Sequence, residues 1–255
     1  MEKKSKIPLV VAFIPARSGS KRIINKNICL LNKHPIIAYT ISSALQSNVF
    51  SEVIVSTDSE EYANIAKYYG AEVPFLRPAQ YAGELSPDIE WVNHMINFLK
   101  ETGKEYDCFS ILRPTNPFRQ PETIRRAWNE FISDTSVNSL RAVEKCSQHP
   151  GKMWVLRNKR MFPLLPFFNA LTPWHSAQYQ SLPEVYIQNA SLEIAWTCVP
   201  IEMGTIAGNA IMPFLTKGYE GFDINDPYDL RLAEDLVQSK SAYLPEIKLP
   251  PYQGK

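Results

Sequence analysis

The sequence predicts a doubly wound α/β domain with a mostly parallel central sheet and a small hairpin arm for dimerisation. Two features of the chain support this prediction. Short apolar runs alternate with longer segments in which apolar residues recur at helical spacing. Several of these runs are continuously apolar, as in strands that are buried on both faces of a parallel sheet. A length of 255 residues is sufficient for one such domain.

The first predicted strand, over residues 9–14, is followed by further apolar runs that end in polar loops. The run 52–58 ends in Ser-Thr-Asp, and the run that begins at Cys108 continues into a polar loop with two prolines. Strands are also predicted over residues 71–78 and 139–146. Ligands of open α/β sheets bind outside the carboxyl ends of the strands, so the polar loops are candidate site segments.

Helices are predicted between the strands from apolar stripes and from end signals. Ser59 can accept a hydrogen bond at the start of the second helix, and Gly70 can end it. The predicted helices begin at or next to Pro35, Ser59, Pro87, Pro121 and Asp226.

The pattern changes after about residue 137. Residues 148–185 contain five prolines and many aromatic residues, and this composition predicts hairpins and long loops. An irregular stretch of this length within a compact domain needs a function, and we expect an arm that packs on a second subunit. The predicted organisation is one domain over residues 1–255 with an inserted arm at about 148–185. The proline-rich tail 244–255 is expected to be loose.

Composition and charge exclude several classes of function. The formal net charge of +1 gives no overall field that would attract nucleic acid or an anionic membrane. The four cysteines are scattered without a zinc spacing, which indicates reduced thiols in a cytosolic protein. The N-terminal segment lacks a small-residue cleavage site, and no apolar run approaches the roughly 20 residues that span a bilayer. We therefore expect a cytoplasmic protein without membrane or nucleic-acid partners.

A basic loop follows the first predicted strand. In the segment "PARSGSKRIINKN" four cations, Arg17, Lys21, Arg22 and Lys26, surround the turn Ser-Gly-Ser. Such a turn can point successive backbone N–H groups at an anion, and the arrangement suits a triphosphate. The segment is neither GxxxxGK[ST] nor GxGxxG, because only one glycine is present. The alternative is a solvated basic loop that binds nothing.

Six segments of the chain together resemble one family. They are "PARSGSKRIINKN", "VSTDS", "LRPAQYAGELSPD", "LRPTNPFR", "LPEVYIQNASLEIA" and "GFDINDPYDL", in this order. They are similar to the motifs of the cytidylyltransferases that make CMP-sialic acid and related CMP-nonulosonates, and the CMP-Kdo synthetases share a shorter version. The resemblance covers most of the chain. It implies a Rossmann-like nucleotidyltransferase fold, a Mg²⁺ requirement, CTP and an acidic sugar as substrates, and a homodimer.

The implied reaction is transfer of a cytidylyl group, in which a sugar hydroxyl attacks the α-phosphorus of CTP and pyrophosphate leaves. Enzymes of this kind act through positioning and charge stabilisation more than through covalent catalysis. By resemblance, Arg17 and Lys21 hold the triphosphate, and Lys26 lies where negative charge develops. Ser20 and Asn27 add hydrogen bonds to the nucleotide.

The resemblance also implies a cytosine contact and a metal site. Arg77 would approach the cytosine, since an arginine can donate to its O2 or N3; the alternative is a surface arginine at a strand end. Asp223 would bind Mg²⁺ and act in catalysis with Arg17 and Lys26. Family members commonly have Asp-x-Asp here, whereas this chain has Asn225 as the second residue, so one charge is missing. The alternative for Asp223 is a turn or cap residue.

The expected sugar site contains the most informative departures from the family. Tyr179 replaces an arginine that can meet the sugar carboxylate, and Glu193 stands where a tyrosine is common. Arg113 occupies a position often held by glutamine, and Lys152 matches a basic residue of the family. The carboxylate could therefore be bound by Arg113 or Lys152, or the acceptor could lack one; Tyr179 could also simply pack in the arm. The full set of expected sugar contacts is Arg113, Asn116, Lys152, Tyr179, Gln188, Asn189 and Glu193.

The resulting hypothesis is a cytidylyltransferase that acts on the anomeric hydroxyl of a sialic-acid-like nonulosonic acid. One alternative is a nucleotidyltransferase of the same fold with another nucleotide or another acceptor, such as a Kdo-like sugar or a sugar 1-phosphate. A second alternative, of a different class, is a weakly active protein that binds nucleotide sugars. Asn225 and Tyr179 favour this second alternative, whereas the intact basic loop opposes it.

Overall fold

The computed structural model describes residues 7–166 and 172–254. Two parts of the chain covered by the sequence predictions, residues 1–6 and residues 167–171 of the arm, lie outside the described residues. The chain divides into two compact units, of which the larger holds residues up to 142 together with those from 189 onward, and the smaller holds 143–188. Within the described ranges, no helix is both long enough and apolar enough to cross a membrane.

A six-stranded sheet forms the centre of the larger unit. The described strands are β1 (Val10–Pro15), β2 (Leu30–Leu31), β3 (His34–Pro35), β4 (Glu52–Ser56), β5 (Cys108–Ile111), β6 (Ser139–Lys145), β7 (Trp154–Arg157), β8 (Arg160–Pro163), β9 (Tyr186–Trp196) and β10 (Ile211–Leu215). The strand order is β10-β6-β9-β5-β1-β4. β1 pairs in parallel with both β4 and β5, whereas β9 runs antiparallel to β5. The predicted α/β class with its mostly parallel sheet is confirmed.

Helices cover both faces of the sheet, and the side chains of β1 point alternately into the apolar layer on each face. The described helices are α1 (Ile36–Ser47), α2 (Glu60–Tyr68), α3 (Asp88–Glu101), α4 (Pro121–Ser133), α5 (Cys198–Met203) and α6 (Pro227–Gln238). Val10, Ala12 and Ile14 pack with residues of α1, α2 and α4. Val11 and Phe13 pack with α3 on the opposite face. This two-sided burial explains why β1 is continuously apolar.

The smaller unit contains the hairpin that the sequence predicts for this segment. β7 and β8 pair antiparallel, with Arg157 opposite Arg160 next to the turn. The expected helix starts are also confirmed: the hydroxyl of Ser59 accepts the N–H of Tyr62 at the start of α2, and Asp226 caps α6.

The predicted strand over residues 71–78 is wrong. Only Glu72 forms a bridge, in parallel with Ile54. Pro74 and Pro78 have no N–H group to donate to a ladder, so a longer strand cannot form here.

β9, α5 and β10 were not predicted, and neither were the two-residue strands β2 and β3. The first residues of β9 are exposed and its last residues are buried, so its sequence shows neither a clean alternation nor a continuous apolar run. β10 contains Pro213 and lies at the edge of the sheet, where a strand tolerates proline. The expectation of a loose tail is also wrong: the ring of Tyr252 packs on Tyr68, and its N–H donates to the hydroxyl of Tyr69 at 3.1 Å.

We expect that Asp226→Ala lowers the free energy of unfolding by about 1 kcal/mol. The carboxylate of Asp226 accepts the N–H groups of Tyr228 and Asp229, while Asp229 accepts the N–H of Asp226 in return. Alanine leaves these donors at the start of α6 without a side-chain acceptor. Urea unfolding measures the change. Asp235→Ala, at an exposed position of the same helix, is the control, and an equal loss in both variants would contradict the capping role.

Candidate functional site

A polar cleft lies at the carboxyl ends of the parallel strands in the larger unit. Its volume is about 320 Å³. Eight of the residues predicted for the site line it: Arg17, Ser20, Lys26, Asn27, Arg77, Arg113, Asp223 and Asn225. The sequence separates the first and last of these residues by more than 200 positions, so the fold brings together four distant segments. The position agrees with the general rule for ligand sites in open α/β sheets.

The basic loop is shaped by hydrogen bonds that the sequence does not reveal. The N–H and the hydroxyl of Ser18 both donate to the carboxylate of Asp58, at 2.7 and 2.9 Å. The N–H of Ser20 donates to the carbonyl of Ser18 at 2.7 Å. The interpretation of the Ser-Gly-Ser turn as a nest of free N–H groups is therefore wrong for these two groups. The side chains of the loop, rather than its amides, carry most of its capacity to bind an anion.

The cations of the basic loop differ in how they are held. The side chain of Arg17 makes no hydrogen bond to any residue that the structure describes, and it faces the cleft. Lys21 forms an exposed ion pair with Glu84, with 2.5 Å between Nζ and Oε2. Asn27 is buried, and its amide donates to the carbonyl of Arg17 at 3.0 Å. The backbone at Arg17 is thus anchored while its side chain is free to meet a ligand.

Lys26 also lines the cleft. Its Nζ donates to the carbonyl of Ile224 at 3.2 Å. Burial lowers the pKa of Lys26, the nearby Asp223 opposes this shift, and the cations Arg22 and Arg17 lower the pKa further. An anion bound between these cations would offset their mutual repulsion.

Arg77 is buried, so the alternative of a surface arginine is wrong. Its Nε and Nη2 donate to the hydroxyl and carbonyl oxygens of Ser56, each at 2.9 Å. Its guanidinium lies 4.8 Å from the centre of the Trp91 ring. Burial lowers the pKa of Arg77 to about 10, against the opposing effect of Asp58 and Asp88. The remaining edge of the guanidinium faces the cleft, and the cytosine contact stays a prediction.

Asp223 and Asn225 lie in a loop whose Ile224 N–H donates to the carbonyl of Thr115, in the loop after β5, at 2.8 Å. The amide of Asn225 donates to Oδ2 of Asp223 at 2.8 Å. Oδ1 of Asp223 is buried and accepts no hydrogen bond from the residues described. Because Asp226 caps α6, the alternative of Asp223 as the cap of this helix is wrong.

The protein groups at Asp223 suit Mg²⁺ only if a bound ligand supplies further oxygen atoms. No group of three or more His, Cys, Asp or Glu side chains that could hold a metal occurs among the described residues. Mg²⁺ is usually bound through one or two carboxylates together with substrate phosphates and water. The orphaned oxygen of Asp223 and the neighbouring Asn225 suit this arrangement, so a ligand would have to supply the remaining oxygens.

Arg113 is held between two carboxylates on the cleft wall. Its Nη2 donates to Asp88 at 2.5 Å and to Glu193 at 3.0 Å. Glu193 also pairs with Arg141, and the indole N–H of Trp91 donates to Asp88 at 2.8 Å. Burial alone would lower the pKa of Arg113, but Asp88 and Glu193 raise it above the usual range. Arg113 therefore remains a cation, although much of its charge is neutralised.

The other residues expected at a sugar site do not line this cleft. Asn116 is buried, and its amide donates to the carbonyl of Glu220 at 2.7 Å. Asn189 donates to the hydroxyl of Thr216 at 2.9 Å. Both residues lie in the larger unit.

Lys152, Tyr179 and Gln188 lie in the smaller unit. Nζ of Lys152 donates to the carbonyls of His175 and Ala177 at 3.2 and 2.7 Å. The hydroxyl of Tyr179 donates to a carbonyl of the same unit. These contacts agree with a packing role for Tyr179. The sugar contacts of Lys152, Tyr179 and Gln188 stay predictions.

Sequence reasoning missed Asp88 and Trp91, which line the cleft, and Asp58, which holds Ser18 of the basic loop. Asp58 and Asp88 lie within segments that carry the family resemblance, directly after the ends of predicted strands or at a helix start. The position of Asp58 after a strand end and that of Asp88 at a helix start are the signals that could have identified them. Their partners lie 40 and 25 residues away in the chain, so the pairing itself could not be inferred.

Comparisons with known proteins find related cytidylyltransferases. Residues 11–157 match the family described as cytidylyltransferase. The chain is 34% identical to the CMP-N,N'-diacetyllegionaminic acid synthase of Legionella pneumophila over 230 residues, which are 90% of this chain and 96% of that protein. It is 32% identical to the N-acylneuraminate cytidylyltransferase of Escherichia coli over 91% of this chain and 53% of that protein.

A solved structure of CMP:2-keto-3-deoxy-manno-octonic acid synthetase complexed with CTP has a similar fold. The TM-score is 0.64 at 16% sequence identity, and the match covers 91% of this chain and 99% of that chain. At this identity the likeness concerns the fold alone.

As the pH is raised, we expect the affinity for CTP to fall, and to do so at a lower pH than if a lysine with an ordinary pKa bound the phosphates. The pKa of Lys26 is lowered, so its charge is present below that depressed value and is lost as the pH rises through it. Lys26→Arg keeps the charge across this range and should bind CTP with little pH dependence there. Calorimetric titration over the alkaline range measures both. The same midpoint in the two proteins would assign the loss to another group.

Proposed function

Because the chain belongs to the cytidylyltransferase family, we propose that it transfers CMP from CTP to the anomeric hydroxyl of a sialic-acid-like nonulosonic acid and releases pyrophosphate. The observation that carries this proposal is the cleft that gathers Arg17, Lys26, Arg77 and Asp223 around one cavity at the strand ends. Its cations suit a triphosphate, and its volume of about 320 Å³ lies within the range of small-ligand sites.

In the proposed reaction the hydroxyl oxygen of the sugar forms a bond to the α-phosphorus of CTP and its proton passes to solvent, while the bond from that phosphorus to the bridging oxygen breaks and its electrons leave with pyrophosphate. Arg17 and Lys26 hold the phosphates and offset the charge that develops on the leaving pyrophosphate. Lys21 would exchange Glu84 for a phosphate oxygen, since its ion pair is exposed and therefore weak. Ser20 and Asn27 contribute hydrogen-bonding groups, and Arg77 orients the base.

We also propose that the enzyme requires Mg²⁺, held by Asp223 and Asn225. The metal would neutralise phosphate charge when bound. Support comes from the buried, unpartnered oxygen of Asp223 and from the usual sharing of Mg²⁺ between carboxylates and phosphates. Lys26 contacts the carbonyl of Ile224, so the ammonium group and the carboxylate are fixed by the same short loop.

The acidic acceptor is supported by the names of the relatives, which include a pseudaminic acid cytidylyltransferase of Campylobacter jejuni that is 35% identical over 134 residues. Of the two cations proposed to meet the carboxylate, Arg113 is the better candidate. It lines the cleft and stays charged, and it would share its guanidinium between the sugar carboxylate and its partners Asp88 and Glu193. Glu193 would hold Arg113 in place. Asn116, Gln188 and Asn189 keep their proposed sugar contacts only through the resemblance.

A sugar 1-phosphate acceptor is the second candidate. The observation that favours it is the absence of an arginine at Tyr179, because a phosphate could also use Arg113.

We further propose a cytoplasmic homodimer that forms through the arm. The hairpin β7–β8 exposes several apolar side chains: Val155, Leu156, Met161 and Phe162. An apolar surface of this kind supports contact with a second copy of the chain.

The test of the proposed function is pyrophosphate release with Mg²⁺ across CTP, GTP, UTP and ATP. The acceptors are nonulosonic acids, Kdo-like acids and sugar 1-phosphates. We expect release with CTP and a nonulosonic acid, and a loss of about 10²–10³-fold in Lys26→Ala because one stabilising cation is removed. Lys67→Ala, at an exposed position outside the cleft, is the control. Release only with a sugar 1-phosphate, or only with another nucleotide, would refute the substrate assignment.

We expect Asn225→Asp to lower the Mg²⁺ concentration that gives half-maximal rate. A second carboxylate beside Asp223 adds one negative charge and a further oxygen ligand for a hard cation. Titration of Mg²⁺ at saturating CTP measures the effect, and thermal unfolding without metal shows whether the fold is kept. A higher Mg²⁺ requirement in a folded variant would remove this pair from the metal site.

A further inference from the structure

Asp58 is a carboxylate beside an anion-binding loop, and the proposed chemistry does not use it. Both of its oxygens bind the same residue: Oδ1 accepts the N–H of Ser18 at 2.7 Å, and Oδ2 accepts the hydroxyl of Ser18 at 2.9 Å. We propose that Asp58 is a positioning residue that bends the chain at Ser18, so that Arg17 and Ser20 face the cleft. This inference rests on the proposed function, because it concerns how the same cleft binds a triphosphate.

The geometry of the parallel ladder explains how Asp58 acts. The N–H of Ala16 donates to the carbonyl of Ser56 at 2.9 Å, one residue beyond the end of β1. In a regular parallel ladder, the next N–H on this side belongs to Ser18 and would donate to the carbonyl of Asp58. Instead it donates to the side chain of Asp58. The carboxylate therefore takes the last position of the ladder and turns the chain away from the sheet.

The bend at Ser18 is continued by neighbouring contacts. The carbonyl of Ser18 accepts the N–H of Ser20 at 2.7 Å, and this closes a tight turn. The amide of Asn27 donates to the carbonyl of Arg17 at 3.0 Å. The backbone is therefore fixed on both sides of the point at which the side chain of Arg17 enters the cleft. Without Asp58, the two donors of Ser18 would have to find water, and the turn would lose its anchor.

Charge alone predicts the opposite role for Asp58. A negative group near the cleft repels a triphosphate, so its removal should tighten anion binding if only the field mattered. Asp58 also stabilises the cationic form of the neighbouring Arg77, and the N–H of Arg77 donates to the carbonyl of Thr57 at 2.6 Å. The same short segment thus positions the basic loop and Arg77 together. A positioning role therefore predicts weaker anion binding when Asp58 is neutralised, whereas simple electrostatics predicts tighter binding. A measurement of affinity separates the two.

The experiment compares Asp58→Asn with Glu60→Gln. Glu60 is exposed, lies two residues further along the chain and contacts neither Ser18 nor the cleft, so its variant removes the same charge without the same contacts. We expect Asp58→Asn to weaken CTP binding by about tenfold, since a neutral amide loses the charge-assisted hydrogen bonds that the carboxylate makes to both donors of Ser18. Glu60→Gln should bind CTP as well as the unaltered chain or slightly better. The KM of the sugar acceptor should change less than the KM of CTP in Asp58→Asn.

A double-mutant cycle with Ser18→Ala tests whether Asp58 acts through Ser18. The effects of the two substitutions on CTP affinity should be clearly less than additive, and Ser18→Thr, which keeps the hydroxyl, should approach the unaltered chain. Ser18→Ala keeps the backbone bond to Asp58 and removes only the hydroxyl bond, so its own loss of CTP affinity tests that second bond if Asp58→Asn does not fold. Tighter CTP binding in Asp58→Asn, or full additivity with Ser18→Ala, would overturn the proposal.

Inorganic tripolyphosphate separates this inference from the proposed function. If the unaltered chain fails to turn over CTP with any acceptor, the proposed function fails. The effect of Asp58→Asn on tripolyphosphate affinity, measured by calorimetry, still decides whether Asp58 positions the loop. A loss of tripolyphosphate affinity supports the positioning role, and an equal or higher affinity refutes it.

Discussion

The parallel pairing of β1 with β4 and β5 is the constraint on which the site depends. The three strands point in the same direction, so their carboxyl ends lie at one edge of the sheet. Apolar layers cover both faces of β1, which leaves this edge as the place where polar groups can gather. The basic loop, the Ser-Thr-Asp segment and the loop after β5 therefore meet there. The loop that carries Asp223 joins them through the hydrogen bond from Ile224 to Thr115, at 2.8 Å.

Each cation at the carboxyl ends of these strands has different partners, and these partners determine which cations are available to bind a ligand. Arg77 is held by Ser56 and Trp91, and Arg113 by two carboxylates. Lys21 has only an exposed partner. Arg17 and Lys26 lack an ion pair within the described ranges, and the lowered pKa of Lys26 reflects its burial more than any other cause. The two residues proposed to stabilise the leaving group are thus the two that gain most from an arriving anion.

The sequence predicts the local features of this site well and its pairings poorly. A continuously apolar run followed by four cations identifies the basic loop, because position after a buried strand is a property of neighbouring residues. The contact between Arg113 and Glu193 joins residues 80 positions apart, and Glu193 lies on β9, whose half-exposed pattern concealed the strand. Arg113 and Glu193, which looked like independent departures from the family pattern in the sequence, therefore form one ion pair in the structure. The predicted N–H nest failed for a similar reason, since its acceptor Asp58 lies on another strand end.

Arg119 shows how far this site depends on groups that never reach the cleft. It is fully buried, and its guanidinium donates to the carbonyls of Ser191 and Arg113 and to the hydroxyl of Thr40. Burial lowers its pKa to about 9, and no carboxylate opposes that shift. A buried cation that is held by oxygen dipoles alone, and whose Nε has no hydrogen-bond partner among the described residues, is costly to keep. Its hydrogen bonds connect the loop after β5 to β9 and α1. The cleft wall that carries Arg113 is therefore fixed by a second, buried arginine as well as by apolar packing.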